Sequence, residues 1–340
     1  MINLSTTRRV FLAGAALALG LAACGDDTET ATTEPAGAET TAAAAGGDCA
    51  TSGDPIKIAV NPWTGSAVNA NVAKVVIECQ LGTPVELVDL DENATWVGLD
   101  DGSLDATLEV WPSGHAADYE TYITGKKSVV DIGLLGPEAK IGWYVPKFIV
   151  DAHPELATWE GFKDPALASL FATAETGDLG QFLMGDPSYV TFDEQIIANL
   201  GLPLKYVVAG SEAALLTAID QSVADQKPVL LQLWKPHWKQ SRVEMVEVKH
   251  PDVTEACTAS AAAGDGMYAC DYPVDLLYKA ANAGLEAKNA AVFGLLSKMH
   301  ITTDQQSAIA ALIDADGMSA AAAAQQWVAE NEAIWSTWVG

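Results

Sequence analysis

Basic residues are scarce in this chain of 340 residues: 18 Lys and Arg stand against 45 Asp and Glu, for a formal net charge of −27. Such a surface repels phosphate backbones and anionic membranes, so nucleic-acid binding is excluded, and the acidity reads as a solvated, soluble exterior. The five histidines do not cluster and the five cysteines include no Cys-x-x-Cys pair, so no metal centre is expected. There is no Gly-x-Ser-x-Gly elbow, no His-Glu-x-x-His helix and no carboxylate pair marked out by spacing. A hydrolase built on His115 or His237 therefore lacks support, and the chain is read as a non-enzyme without a cofactor. It shows no internal repeat, and its N-terminal apolar run, Val10 to Ala23, has only fourteen residues, too few to span a bilayer.

What is present starts with an export segment. Arg8-Arg9 before Val10-Phe11-Leu12 resembles a twin-arginine signal, and Leu21-Ala22-Ala23-Cys24 resembles a lipobox. Residues 1–24 are thus expected to be a removable leader ending at a lipidated Cys24, which would anchor a bacterial protein to the outer face of its membrane. Residues 25–54 are rich in Thr, Ala, Gly and Glu and hold no aromatic residue, so they cannot offset chain entropy by burial and are expected to form a flexible linker. In an oxidising compartment the remaining cysteines, Cys49, Cys79, Cys257 and Cys270, are expected to pair. Four cysteines allow three pairings, of which proximity favours Cys49–Cys79 and Cys257–Cys270.

From residue 55 onward, short alternating runs such as Ile56–Val60, Val85–Val88 and Leu108–Trp111 read as strands separated by helices. That pattern implies an α/β fold with a mostly parallel sheet, whose ligands collect at the carboxyl ends of its strands. Further strands are expected at Lys140–Pro146, Tyr206–Gly210 and Pro228–Leu233, and helices at Asp193–Leu200, Glu212–Asp225, Asp275–Ala283, Thr303–Asp314 and Ser319–Trp338. The length suggests two lobes. A crossing near residue 137 and a return near 245 would give one lobe from 55–137 and 245–340, and another from 138–244.

Four tryptophans stand at strand ends and are bounded by Pro or Gly: Pro62-Trp63-Thr64-Gly65, Trp111-Pro112, Gly142-Trp143 and Trp234-Lys235-Pro236. Core aromatics more often lie within elements. Indole faces suit sugar rings or soft cations, and the four stretches lack the many Asp, Asn and Arg side chains that a sugar site needs. A trimethylammonium group has no N–H to donate and spreads its charge over its methyls, so aromatic walls suit it, each contributing on the order of 0.5–2 kcal/mol. A carbohydrate-binding lipoprotein is the competing reading. Tyr144 and Tyr189 offer further faces, and alternation along Ile141–Val145 sends Trp143 and Tyr144 to opposite sides, with Trp143 the favoured wall. His237, with Lys235 beside it, is a candidate partner for a ligand carboxylate. The backbone around Thr64-Gly65-Ser66, at a helix N-terminus, offers a second anion site. Glu109 and Asp91 are read as structural or exposed.

The stretches Asn61-Pro62-Trp63-Thr64-Gly65, Glu109-Val110-Trp111-Pro112, Gly142-Trp143-Tyr144-Val145-Pro146 and Trp234-Lys235-Pro236-His237-Trp238 resemble those of the glycine betaine/choline substrate-binding proteins of ABC transporters. The resemblance runs from Pro55 to Trp338. It implies a two-lobe periplasmic-binding-protein fold of the type with two crossovers, closing on a quaternary ammonium ligand held in an aromatic cage. It further implies a monomer that delivers glycine betaine, or a related solute such as choline or carnitine, to a permease with a cytoplasmic ATPase, in osmoprotection. Trp63, Trp111 and Trp234 are the implied cage, followed by Trp143 and Tyr189, with His237 facing a betaine carboxylate.

Overall fold

A computed structural model of the chain describes residues 49–340. The expected leader, Cys24 and the linker up to residue 48 lie outside the described residues. The last residues of that linker are fastened: Cys49 is bonded to Cys79, and the Ser52 N–H donates to the Gly82 carbonyl at 2.9 Å. Cys257 is bonded to Cys270, so both favoured pairings are present.

Period-2 runs give way to helical ones at each loop of the first sheet. Strand β1 (Ile56–Val60) feeds helix α1 (Thr64–Val76), β2 (Val85–Asp89) feeds α2 (Glu92–Asp101), and β3 (Ala106–Val110) follows. β1 pairs in parallel with both β2 and β3. Helix α2 begins where the Asp91 carboxylate accepts the Ala94 N–H at 2.7 Å, and stops at Gly102, whose φ of 78° is left-handed.

The 18-residue strand β4 (Val129–Pro146) belongs to both sheets. In the second sheet lie β5 (Gly180–Met184), β6 (Leu204–Val208), β7 (Leu230–Lys235) and β8 (Met245–Val248), and β5 is parallel to both β6 and β7. The end of β4 pairs with β7 and β8, while its beginning pairs antiparallel with β9 (Asp275–Asn282), which in turn pairs with β3. The strand order is β2-β1-β3-β9-β4-β7-β5-β6. The expected α/β architecture of two lobes is therefore present, with β4 running through both sheets.

Several expectations need correction. Where a helix is expected at Asp275–Ala283, residues Asp275–Asn282 form β9: Leu, Lys and Ala favour helix, but pairing on both sides overrides that weak preference. Lys279 on β9 is fully buried and donates to the carbonyls of Leu296 and Ser297 at 2.8 and 3.2 Å, and to that of Met299, which ties the end of helix Ala290–Lys298 to the sheet. Past residue 245, β8 pairs in the second sheet, and Asn199 of helix Asp193–Leu200 donates to the carbonyls of Gly266 and Tyr268. The segment 133–137 lies inside β4, between register shifts. Gly136 has φ 134°, and a Cβ there would stand 2.3 Å from the Ile301 carbonyl oxygen, so only glycine lets the strand pass. The C-terminal helix is broken at Asn331, and its Trp327 stacks on Trp338 at 6.2 Å as packing.

Candidate functional site

Four chain segments deliver aromatic rings to one cavity between the lobes. Trp63 directly precedes α1 in the loop after β1, Trp111 follows β3, Tyr189 lies in the loop after β5, and Trp234 is the penultimate residue of β7. All four positions are at or just past carboxyl ends of parallel strands, where open α/β sheets collect their ligands. These rings line the cavity together with Glu92, Ile141, Val190, Thr191 and Gln232, enclosing at most ≈ 360 Å³ even when space open to solvent is counted. Such a space suits a ligand of small size.

Tyr189 stands roughly at right angles to two of the tryptophans. Tyr189 meets Trp63 at 5.9 Å and 75°, and Trp234 at 5.8 Å and 88°. Its hydroxyl donates to the Pro62 carbonyl at 2.9 Å, across the two lobes. A Cβ on Gly185 would approach the Tyr189 ring to 2.7 Å, so glycine there leaves room for the wall.

Behind the cage lies Glu109, which the sequence reads as structural or exposed and which is buried. Its Oε1 accepts the indole N–H groups of Trp63 at 2.7 Å and Trp111 at 3.1 Å, and its Oε2 accepts amide N–H groups of Asn69 at 2.6 Å and Gln306 at 2.9 Å. Burial raises its pKa to about 7 against the opposing pull of the Trp63, Trp111 and Gln306 donors. On the cavity wall, Glu92 accepts the Val190 N–H at 3.1 Å and pairs with His115 Nε2 at 2.6 Å. Burial opposes a charge on His115, while hydrogen bonds and attraction from Asp118 and Glu92 raise its pKa to about 9; the Trp96 indole N–H also donates to its Nδ1 at 3.0 Å.

A second, smaller space adjoins the cage behind Trp111 and Trp234 and is lined by Thr64, Gly65, Glu109, Glu212, His237 and Gln306 among others. Here the expected anion contacts are already taken. The Thr64 N–H donates to Glu212 Oε2 at 2.7 Å, so the helix N-terminus holds an internal carboxylate. His237 Nδ1 accepts the Lys239 N–H at 3.1 Å, which leaves Nε2 as the protonated nitrogen, and it donates to Glu212 Oε1 at 3.0 Å. Both ring nitrogens are thus engaged within the protein. Gly65 makes room for Glu109, whose Oε2 would lie 3.1 Å from a Cβ at that position. Lys235 bonds to Glu247 at 2.7 Å, away from the cavity.

Trp143 and Tyr144 do not line the cavity. Trp143 is fully buried, its indole N–H donates to Asp193 at 2.7 Å, and its ring packs on Phe182 at 4.4 Å. Tyr144, on the opposite side of β4, is also fully buried and reaches Glu247 at 3.4 Å. Alternation separates the two rings correctly, but both faces of β4 are core at this point. Since Asp193 Oδ2 already has no partner, Trp143→Phe is expected to destabilise the fold by about 1–3 kcal/mol. Ligand affinity should stay within about threefold; a thermal melt paired with a ligand titration separates these effects.

Residues 54–330 match the family described as the substrate binding domain of ABC-type glycine betaine transport system. The chain is 28% identical over 294 residues to the trimethylamine N-oxide-binding protein of Pelagibacter ubique (strain HTCC1062), covering 85% of this chain and 92% of the relative. Among solved structures, the glycine betaine/L-proline-binding protein ProX from Borrelia burgdorferi is similar at a TM-score of 0.68 and 22% identity, over 84% of this chain and 97% of that one. Lactococcal OpuAC, in its closed form with glycine betaine, is similar at a TM-score of 0.65 and 18% identity, over 84% and 100%. An ABC-transporter choline binding protein in complex with choline gives 0.66 and 17%, over 84% and 92%.

Proposed function

The chain belongs to the family of substrate-binding domains of ABC-type glycine betaine transport systems, and from that premise we propose that it captures a compact methylated ammonium solute between Trp63, Trp111, Tyr189 and Trp234. It is an extracytoplasmic binding component of an importer and not an enzyme; a permease and its ATPase move the solute. The observation that carries the ligand class is the set of four aromatic rings lining one small cavity, with Tyr189 nearly perpendicular to Trp63 and Trp234. A methylated cation gains from each face and needs no hydrogen-bond acceptor. Three or four such faces contribute roughly 1.5–8 kcal/mol before ordering costs, so burial of the methyl groups must add to them for tight binding.

Glycine betaine is the solute that the sequence suggests first. The lining supports a ligand without a carboxylate arm at least as well. No lysine or arginine among the described residues lines either space, whereas Glu92, Glu109 and Glu212 do, and His237 is engaged by Glu212. Trimethylamine N-oxide would turn its acceptor oxygen to the Thr191 hydroxyl or the Gln232 amide, and choline would offer its hydroxyl to Glu92. In the same reading, a lipidated Cys24 holds a monomeric receptor at the outer membrane face. No helix among the described residues is long and apolar enough to cross a membrane.

Calorimetric titration of the soluble domain with trimethylamine N-oxide, choline, carnitine and glycine betaine tests this function. Saturable heat with at least one of them is expected, with glycine betaine the weaker ligand if the acids at the cavity decide selectivity. Heat with none of the four, together with fluorescence quenching by sugars, would return the cage to carbohydrate binding.

A further inference from the structure

Of the other acids near the cage, Glu92 pairs with His115, and Glu212 accepts from His237 and the Thr64 N–H. Glu109 is different: it is 4% exposed, carries no cationic partner, and takes all of its hydrogen bonds from neutral N–H groups. Two of those donors are the edges of the very rings that wall the cavity, and both bind the same carboxylate oxygen.

We propose that Glu109 is a positioning residue that also charges the cage: its single buried carboxylate fixes the Trp63 and Trp111 indoles and makes their faces more electron-rich toward a cation. This rests on the reading of the cavity as a methylated ammonium site and deepens it, because it assigns the preference for a charged ligand over an uncharged one of equal shape. An N–H donating to an ionised oxygen transfers electron density into its ring, and the carboxylate adds a full negative charge behind it in a dry setting. Four donors are what an acceptor-only carboxylate can use. The titratable groups facing Glu109 are Glu212 with His237 across one small space, and Glu92 with His115 across another. Of these, Glu212 opposes its ionisation.

The neutral variant Glu109→Gln keeps the shape. Its amide oxygen can still accept both indole N–H groups, and its new NH₂ finds acceptors if Asn69, whose Oδ1 is buried without a partner, and Gln306 both turn their amides. Affinity for choline and for its uncharged isostere 3,3-dimethylbutan-1-ol would be measured in both proteins. The expected result is a loss of tenfold or more for choline with less than a twofold change for the alcohol. Wild-type affinity for choline should also fall as pH drops through about 7, where the carboxylate takes up a proton, by up to about tenfold per unit, while the variant stays nearly flat. An equal loss for both probes would mean that Glu109 only holds the rings, and no loss for either would mean that it does not act on the cage; both results overturn the proposal.

A second readout needs no ligand. In protein labelled with ¹⁵N-tryptophan, the Trp63 and Trp111 indole N–H resonances should shift together between pH 5.5 and 8.5 in the wild type and remain fixed in Glu109→Gln. Static resonances in the wild type overturn the assignment of charge to that oxygen. If neither probe binds the wild type, it is the methylated-ammonium reading that fails, and the indole titration still decides the role of Glu109.

Discussion

Trp63→Ala is expected to weaken binding of a trimethylammonium ligand about a hundredfold, equal to ~2.7 kcal/mol, with the far-ultraviolet circular dichroism unchanged. The loss has two sources. One is the ring face itself, worth up to about 2 kcal/mol where water is excluded. The other is support: the indole carries an edge contact to Tyr189 and fills one of the four donor positions of Glu109. Because Trp63 lies in a loop just ahead of α1, its removal leaves the strand and helix intact. Titration of the purified variant checks this, and a change below about threefold would remove Trp63 from the cage.

Glu212→Ala should lower affinity for every ligand by a similar factor, about thirtyfold. Glu212 begins the helix Glu212–Asp225 of the second lobe, yet its Oε2 accepts the Thr64 N–H of the first, while its Oε1 accepts from His237. Its effect falls on closure. With the lobes apart, water can satisfy Thr64 and His237; with the lobes together, both groups would be left without their acceptor. A hydrogen bond to a charged group is worth about 1.5–3 kcal/mol, so the closed population, and with it apparent affinity, falls accordingly. Three other bonds cross the same seam: Tyr189 to Pro62 at 2.9 Å, Val190 to Glu92 at 3.1 Å and Trp238 to Asp314 at 2.7 Å. They limit the loss. Small-angle scattering at half-saturating ligand should show a larger radius of gyration for the variant than for the wild type, and unchanged affinity would exclude a latch at Glu212.

The rings at the cavity were legible in the sequence for a physical reason. Trp63, Trp111 and Trp234 each stand where a strand must stop, against Pro or Gly, and strand ends in a parallel sheet share one side. Tyr189 was legible from the turn that holds it. Trp143 misled because the same local signature also occurs where a strand is buried on both faces, and period 2 cannot tell which side is the cleft. Glu109 was hidden because its donors lie 2, 40, 46 and 197 residues away. Within its own strand it is only one acid among apolar neighbours. His237 was found by its nearness to Trp234, but its partner Glu212 is 25 residues away, so a contact internal to the protein looked like a free ligand group. The fold shows the same division. Alternation set β1, β2 and β3 within a residue or two, whereas β9 was taken for a helix because pairing with strands far off in sequence, not its composition, decides its form.

A crystal structure with a bound trimethylammonium ligand tests the central assignment most directly. The expected result is a ligand nitrogen within about 6 Å of the ring centroids of Trp63, Trp111 and Trp234, with Tyr189 closing the fourth side and Trp143 out of reach. A ligand found outside this cavity, or one held by carboxylates with the indoles turned away, would contradict it.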